Sequence, residues 1–197
     1  MNITAIILAA GYSSRMGSFK PMLEIQGKTI MERTVSLFRD AGMQDIRVVV
    51  GHGSDLLEPL LERLGARVIP NPDYDKGMFS SVLAALQGLE QDVKALFILP
   101  ADIPLISPLT IRHLLDIHQH EPEKVLIPCF MNRRGHPVLI PSMYCDTILR
   151  WRGEGGLKGA LGQLGAMVLH VEVKDRNILL DCDTPEDYED AKTRCSL

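Results

Sequence analysis

Two kinds of charged residue stand where apolar runs end. Near the start, "ILAAGYSSRMGSFKPML" passes from a hydrophobic segment into small residues and then two cations, Arg15 and Lys20. Gly11 and Gly17 allow close backbone approach to a ligand, Arg15 supplies a bidentate fork and Lys20 a point charge, a set suited to phosphate. Further on, "LPADIPLIS" and "LLDCDTPED" each end an apolar run in acids, Asp102 in the first, Asp181 and Asp183 in the second. Carboxylate oxygen suits a hard cation such as Mg²⁺. In an extended chain Asp181 and Asp183 share one side and Cys182 takes the other, leaving open which acid meets a metal. The first loop is neither G-x-x-x-x-G-K-[ST] nor G-x-G-x-x-G, so neither a P-loop nor a dinucleotide fingerprint is present.

These loops need elements to hold them. Residues 3–9 read as a buried strand, 28–42 as a helix stopped by Gly42, 46–51 as a strand and 54–65 as a helix capped by Ser54. "ARVIPN" continues as strand, "GMFSSVLAALQGL" as helix and "KALFILP" as strand. The helix "SPLTIRHLLDIHQH" opens on Ser107 and Pro108. "KVLIPCF" and "GHPVLIPS" are strands with no helix between them, followed by strands "MVLHVEV" and "NILLD" and a closing helix started by Thr184 and Pro185. The alternation predicts an α/β fold, a mostly parallel mixed sheet covered by helices on both faces, with one antiparallel member near 124–141. No linker or repeat interrupts it, so residues 1–197 are expected to form one domain. Ligands of such sheets collect at the carboxyl ends of the strands, which draws the three charged loops to one edge.

Composition narrows the partners. A net charge of −4 gives no basic excess to displace counterions from nucleic acid or to hold an anionic membrane. The first residues lack both a signal-peptide layout and the length of a membrane span, so a cytoplasmic protein is expected. Cys129, Cys145, Cys182 and Cys195 form no C-x-x-C pair and are expected to be reduced, packed thiols rather than a zinc site. His113, His118 and His120 are expected on a solvated helix face, Trp151 in packing, and His136 in an acceptor-facing or hydrogen-bonding position.

"LAAGYSSRMGSFK" resembles the L-A-[AG]-G-x-S-x-R-M-G-x-x-K pattern of nucleotidyltransferases of the molybdenum-cofactor class. "NPDYDKGMFSSVLAAL", "PADIPLIS", "RRGHPVLI" and "LLDCDTPEDY" follow in that family's order, across nearly the whole chain. The resemblance implies a Rossmann-like, GT-A-like three-layer fold and Mg²⁺-dependent transfer of a nucleoside monophosphate from an NTP to a phosphorylated acceptor. Molybdopterin is the acceptor it favours, with a molybdoenzyme or its chaperone as a further partner. Carried over residue by residue, Leu8, Ala9, Ala10 and Gly11 resemble the nucleotide shelf, and Gly77, Met78, Ser80 and Ser81 line its pocket. Arg15 and Lys20 resemble the triphosphate clamp, Asp102 the principal metal ligand and Asp183 a second one. Ala10, where guanylyl-transferring relatives tend to carry glycine, favours CTP over GTP. The sequence departs from the pattern at Ile103, at Tyr74, and at Gly153-Glu154-Gly155-Gly156-Leu157-Lys158, mostly toward the acceptor end. A sugar or alcohol phosphate is therefore a second acceptor class. A cofactor-binding chaperone without catalysis and a dinucleotide oxidoreductase are competing readings, disfavoured by the retained acids and cations and by the missing glycine fingerprint.

Overall fold

The computed structural model describes residues 2–12 and 18–195; Arg15 and Gly17, two of the residues singled out above, lie outside that range. Strand β1 (Ile3–Leu8) is apolar at nearly every position because it is covered on both sides. It pairs in parallel with β4 (Ile46–Val50) and with β6 (Ala95–Pro100), and β4 pairs in parallel with β5 (Arg67–Pro70). Beyond β6 lies β9 (Val138–Pro141), antiparallel both to β6 and to β7 (Val125–Phe130). The edge strand β10 (Val168–Glu172) runs parallel to β7, and the two-residue β8 (Arg133–Arg134) pairs with β7. The expected antiparallel member is thus β9. Its reversal brings the start of β9 to the edge where β1, β4, β6 and β7 end.

Alternation along β1 divides the core in two. Ala5 and Ile7 pack with α1 (Ile30–Asp40), α2 (Ser54–Arg63) and α4 (Pro108–His120). Ile6 and Leu8 pack on the other face with α3 (Met78–Gln87), α5 (Cys145–Leu149) and α6 (Gly156–Gly162). The sheet is therefore the middle of three layers. A small hairpin, β2 (Glu24–Ile25) and β3 (Lys28–Thr29), turns through Gln26 and Gly27, both at positive φ, and packs Ile25 against Cys182 and Ala191 of the closing helix α7 (Pro185–Cys195). Among the described residues no helix is long and apolar enough to cross a membrane.

The local chemistry explains where these helices begin. Thr29 and Glu32 form a capping box at α1, and Thr184 and Asp187 exchange the same pair of bonds at α7, so Asp187 is a cap partner as well as a first-turn charge. Ser107 caps α4 as its sequence predicts. For α2 the cap is Gly53, not Ser54; Gly53 sits at φ 69° against the Phe19 ring, which leaves no room for a Cβ.

Two other expectations are corrected. "NILLD" is not a strand: Arg176–Leu179 form a single 3₁₀ turn. One Asp175 oxygen accepts from the Asn177 N–H at 3.0 Å while the other takes Ser107 N–H and Thr110 Oγ1, so local bonds displace a sheet ladder. His118 is not on the solvated face. The α4 period places it inward with Ile111 and Leu114, where burial pushes its imidazole below the ordinary range.

At the opposite edge of the sheet Asp45 accepts hydrogen bonds from Arg47 and Arg67, and both guanidiniums also reach Glu90. Arg47 is buried, so its charge depends on these partners. Burial raises the Asp45 pKa, but the hydrogen bonds from Arg47 and Arg67 outweigh it and leave the group below the usual carboxylate range. The resulting stabilisation is complete above the unfolded value near ~4 and disappears as pH falls through the folded one. Asp45→Asn is expected to cost about 2 kcal/mol at pH 7 and less at pH 3, as read by urea unfolding at both.

Candidate active site

The parallel pairing runs past the ends of the strands. Ala9 N–H donates to Val49 O at 2.9 Å, Ala101 N–H to Leu8 O at 3.0 Å and His52 N–H to Ala10 O at 3.2 Å. The loops after β1, β4 and β6 are consequently laid side by side. One further backbone bond, Cys182 N–H to Asp102 O at 2.8 Å, ties in the chain before α7. Cys182 points into the small core under the β2–β3 hairpin, which turns its neighbour Asp183 outward beside Asp102.

Lys20 completes the group. It opens a 3₁₀ turn (Lys20–Met22) whose Pro21 is buried, and its ammonium donates to Asp183 Oδ1 at 2.7 Å and Asp102 Oδ2 at 3.3 Å. Burial disfavours the Lys20 charge, but hydrogen bonding and attraction from Asp183 and Asp102 more than offset it and raise its pKa. For Asp102 the balance goes the other way. Burial, helped by the Asp183 charge, outweighs the pull of Lys20 and raises the carboxyl above its ordinary value. Two carboxylates thus already converge on one cation. Hard oxygen donors so placed fit a divalent ion such as Mg²⁺, which takes few protein carboxylates and fills its octahedron with water and phosphate. Among the described residues no group of three or more His, Cys, Asp or Glu side chains could hold a metal.

Beside these three residues is a cavity of about 300 Å³, walled by Leu8, Ala9, Ala10 and Gly11 on one side and Tyr74, Gly77, Met78 and Ser81 on the other. Lys20 and Asp102 close its end. Ser80 is not part of the wall; its hydroxyl donates to Gly77 O and accepts from Asn71 Nδ2. Buried Asn71 also donates to Ser81 Oγ and accepts from the Asp73 N–H, so one side chain fixes the turn and the start of α3. The sequence reading missed Asn71, although an Asx turn after a strand was its available sign. It missed Tyr12 and His52 as well, whose rings lie 5.0 Å apart, with Tyr12 5.4 Å from Tyr74. Gly51 keeps this corner tight, since a Cβ there would lie 2.6 Å from Tyr74 Cβ and 2.9 Å from Ala10 Cβ.

A second cavity of about 650 Å³ adjoins the first across Leu8, Met78 and Pro100. Its walls are apolar, from Val82, Ile98, Ile127 and Val138, and Gly155, Gly156, Leu157 and Lys158 form one side. The departing 153–158 stretch therefore borders this second space. Trp151 packs behind it, and Gly153 and Gly159 both lie against its ring. Cys129, Cys145 and Cys182 are buried and Cys195 half-buried, all free thiols.

A family model described as "MobA-like NTP transferase domain" matches residues 5–171. The chain is 30% identical to the molybdenum cofactor cytidylyltransferase of Escherichia coli (strain K12), over 98% of this chain and 96% of that protein. It is 29% identical to the purine catabolism protein PucB of Bacillus subtilis (strain 168), over 95% and 94%. Among solved structures, a nucleotidyl transferase from Methanothermobacter thermautotroptrophicus superposes with a TM-score of 0.83 at 25% identity, covering 98% of this chain and 96% of that one.

Proposed function

The chain belongs to the MobA-like NTP transferase family, and from that premise we propose that it transfers CMP from CTP to the phosphate of molybdopterin, releasing pyrophosphate. One observation carries the reading: Lys20, Asp102 and Asp183 meet at the end of the cavity walled by Leu8–Gly11. In this reading the base and ribose lie between the Leu8–Gly11 shelf and Gly77, Met78 and Ser81. Ala10 is the residue that favours cytosine. The triphosphate extends toward Lys20, and the acceptor occupies the larger cavity.

An acceptor phosphate monoester is largely dianionic at neutral pH, with a second pKa near ~6. It needs no base to become a nucleophile. Its oxygen forms a bond to the α-phosphorus as the bond to the bridging oxygen breaks, and pyrophosphate departs with both electrons. The barrier to overcome is repulsion between two anions. Lys20, held protonated by its acidic neighbours, and Arg15 offset that charge as it shifts to the leaving group. Asp102 and Asp183 are the residues that would hold Mg²⁺, which when bound neutralises phosphate charge and stabilises the leaving pyrophosphate.

The altered Gly153–Lys158 stretch favours one second reading, a different phosphorylated acceptor such as a sugar or alcohol phosphate. Pyrophosphate release, measured with each NTP and Mg²⁺ against molybdopterin, metal-free or molybdenum-loaded, and against a sugar-phosphate panel, tests both. The expected result is release only with molybdopterin and at least ~10-fold faster with CTP than with GTP. Turnover with a sugar phosphate alone would retain the chemistry and replace the acceptor.

A further inference from the structure

The large cavity has polar side chains of two kinds. Arg134, Lys158 and His170 are exposed at its rim, whereas His136 is set back among the apolar walls. Its position follows from the topology. Val138 pairs with Ile98 in the antiparallel β9–β6 ladder, so His136 lies at the level of Pro100, where the two cavities meet. Its backbone is fixed on both sides: Gly135 N–H donates to Pro128 O at 2.8 Å and His136 N–H to Ile178 O at 3.0 Å. A Cβ on Gly135 would come within 2.5 Å of Ile178 O, so the segment can sit this deep only with glycine there.

The ring is only partly satisfied. Nδ1 is buried without a well-formed hydrogen bond, the Ile98 carbonyl is the backbone acceptor that faces the ring, and His136 lines the cavity. Burial lowers its pKa, which the Asp181 charge and the nearby Ile98 carbonyl oppose without reversing, so the imidazole is neutral at pH 7. A buried, unpaired ring nitrogen is a net cost to folding, and an aliphatic side chain of similar size would fill the space without it. The ring's hydrogen-bonding capacity is therefore not fully used within the protein.

We propose that His136 is an acceptor-binding residue: its Nε2 hydrogen-bonds a polar group on the heterocyclic body of the acceptor. That bond sets the body in the apolar cavity so that the acceptor's phosphate faces Lys20 and Asp102. The inference rests on the proposed transfer to molybdopterin. It adds the residue that recognises the part of the acceptor away from the phosphate.

The test is steady-state pyrophosphate release with molybdopterin varied at saturating CTP, and the converse, for wild type, His136→Leu and His136→Gln, with thermal unfolding of each. His136→Leu is expected to raise KM for molybdopterin about 10- to 100-fold. Its KM for CTP should stay within about twofold and its Tm should be equal or higher. His136→Gln, which keeps a hydrogen-bonding group, should recover most of the loss. Unchanged KM for molybdopterin in His136→Leu, or a loss that affects both substrates alongside a lowered Tm, would overturn the inference alone. A wild type with no turnover of molybdopterin would overturn the acceptor reading and this inference together.

Discussion

Asp102→Asn is expected to reduce CTP-dependent pyrophosphate release by about 10³-fold or more while the protein remains folded. Asparagine keeps the volume and one acceptor oxygen but removes the charge, so the loss reports electrostatics rather than packing. Stability should change little. Asp102 forfeits its attraction to Lys20, and it also forfeits the burial of a charge and the repulsion from Asp183 that raise its pKa. The sign follows from that raised pKa: ionising Asp102 above its unfolded value near ~4 works against the fold, so a neutral isostere is tolerated at pH 7. Normal turnover by this variant would remove Asp102 from the site.

Lys20→Met is expected to affect both activity and stability. Release should fall about 10²- to 10³-fold, the scale of losing one preorganised charge at a developing anion. The fold should weaken as well, because Asp102 and Asp183 are then left facing each other without the ammonium they share. In wild type the raised Lys20 pKa means that its stabilisation is complete below the unfolded value near ~10.4 and is lost as pH rises through the folded one. In the variant the acid side carries the diagnosis: its stability deficit should shrink from pH 7 toward pH 4, as Asp102 takes up a proton. Millimolar Mg²⁺ should raise the Tm of Lys20→Met more than that of wild type, since the variant has lost one positive charge beside the two carboxylates. A deficit independent of both pH and Mg²⁺ would show that Lys20 acts through packing alone.

Much of this site was legible because strand ends and caps are local. The apolar run before Asp102 is β6, and the Thr184–Pro185 start of α7 is where its residues place it. Asp183 is positioned by a different device from the one its sequence predicts: "NILLD" reads as a strand, whereas the chain there is a 3₁₀ turn held by Asp175. What delivers Asp183 is the backbone bond from Cys182 to Asp102, a contact between residues distant in sequence that no periodicity announces. His118 shows the converse: three histidines at the end of a helix look solvated until the inward stripe is followed through Ile111 and Leu114. The larger cavity was hidden for a different reason. It is a space left between α3, α6 and the β7–β9 strands, and the depth of His136 within it depends on how those elements pack.

In the proposed mechanism Asp102 and Asp183 gather a divalent ion at the phosphate end of the cavity walled by Leu8–Gly11. A crystal soaked with CTP and Mn²⁺, with the anomalous signal of manganese recorded, tests it most directly and gives the Asp102→Asn result its structural counterpart. The expected result is one peak within about 2–2.5 Å of a carboxylate oxygen of Asp102, bridged to the triphosphate, with the Lys20 ammonium moved onto phosphate. A triphosphate bound elsewhere, or manganese away from both aspartates, would contradict it.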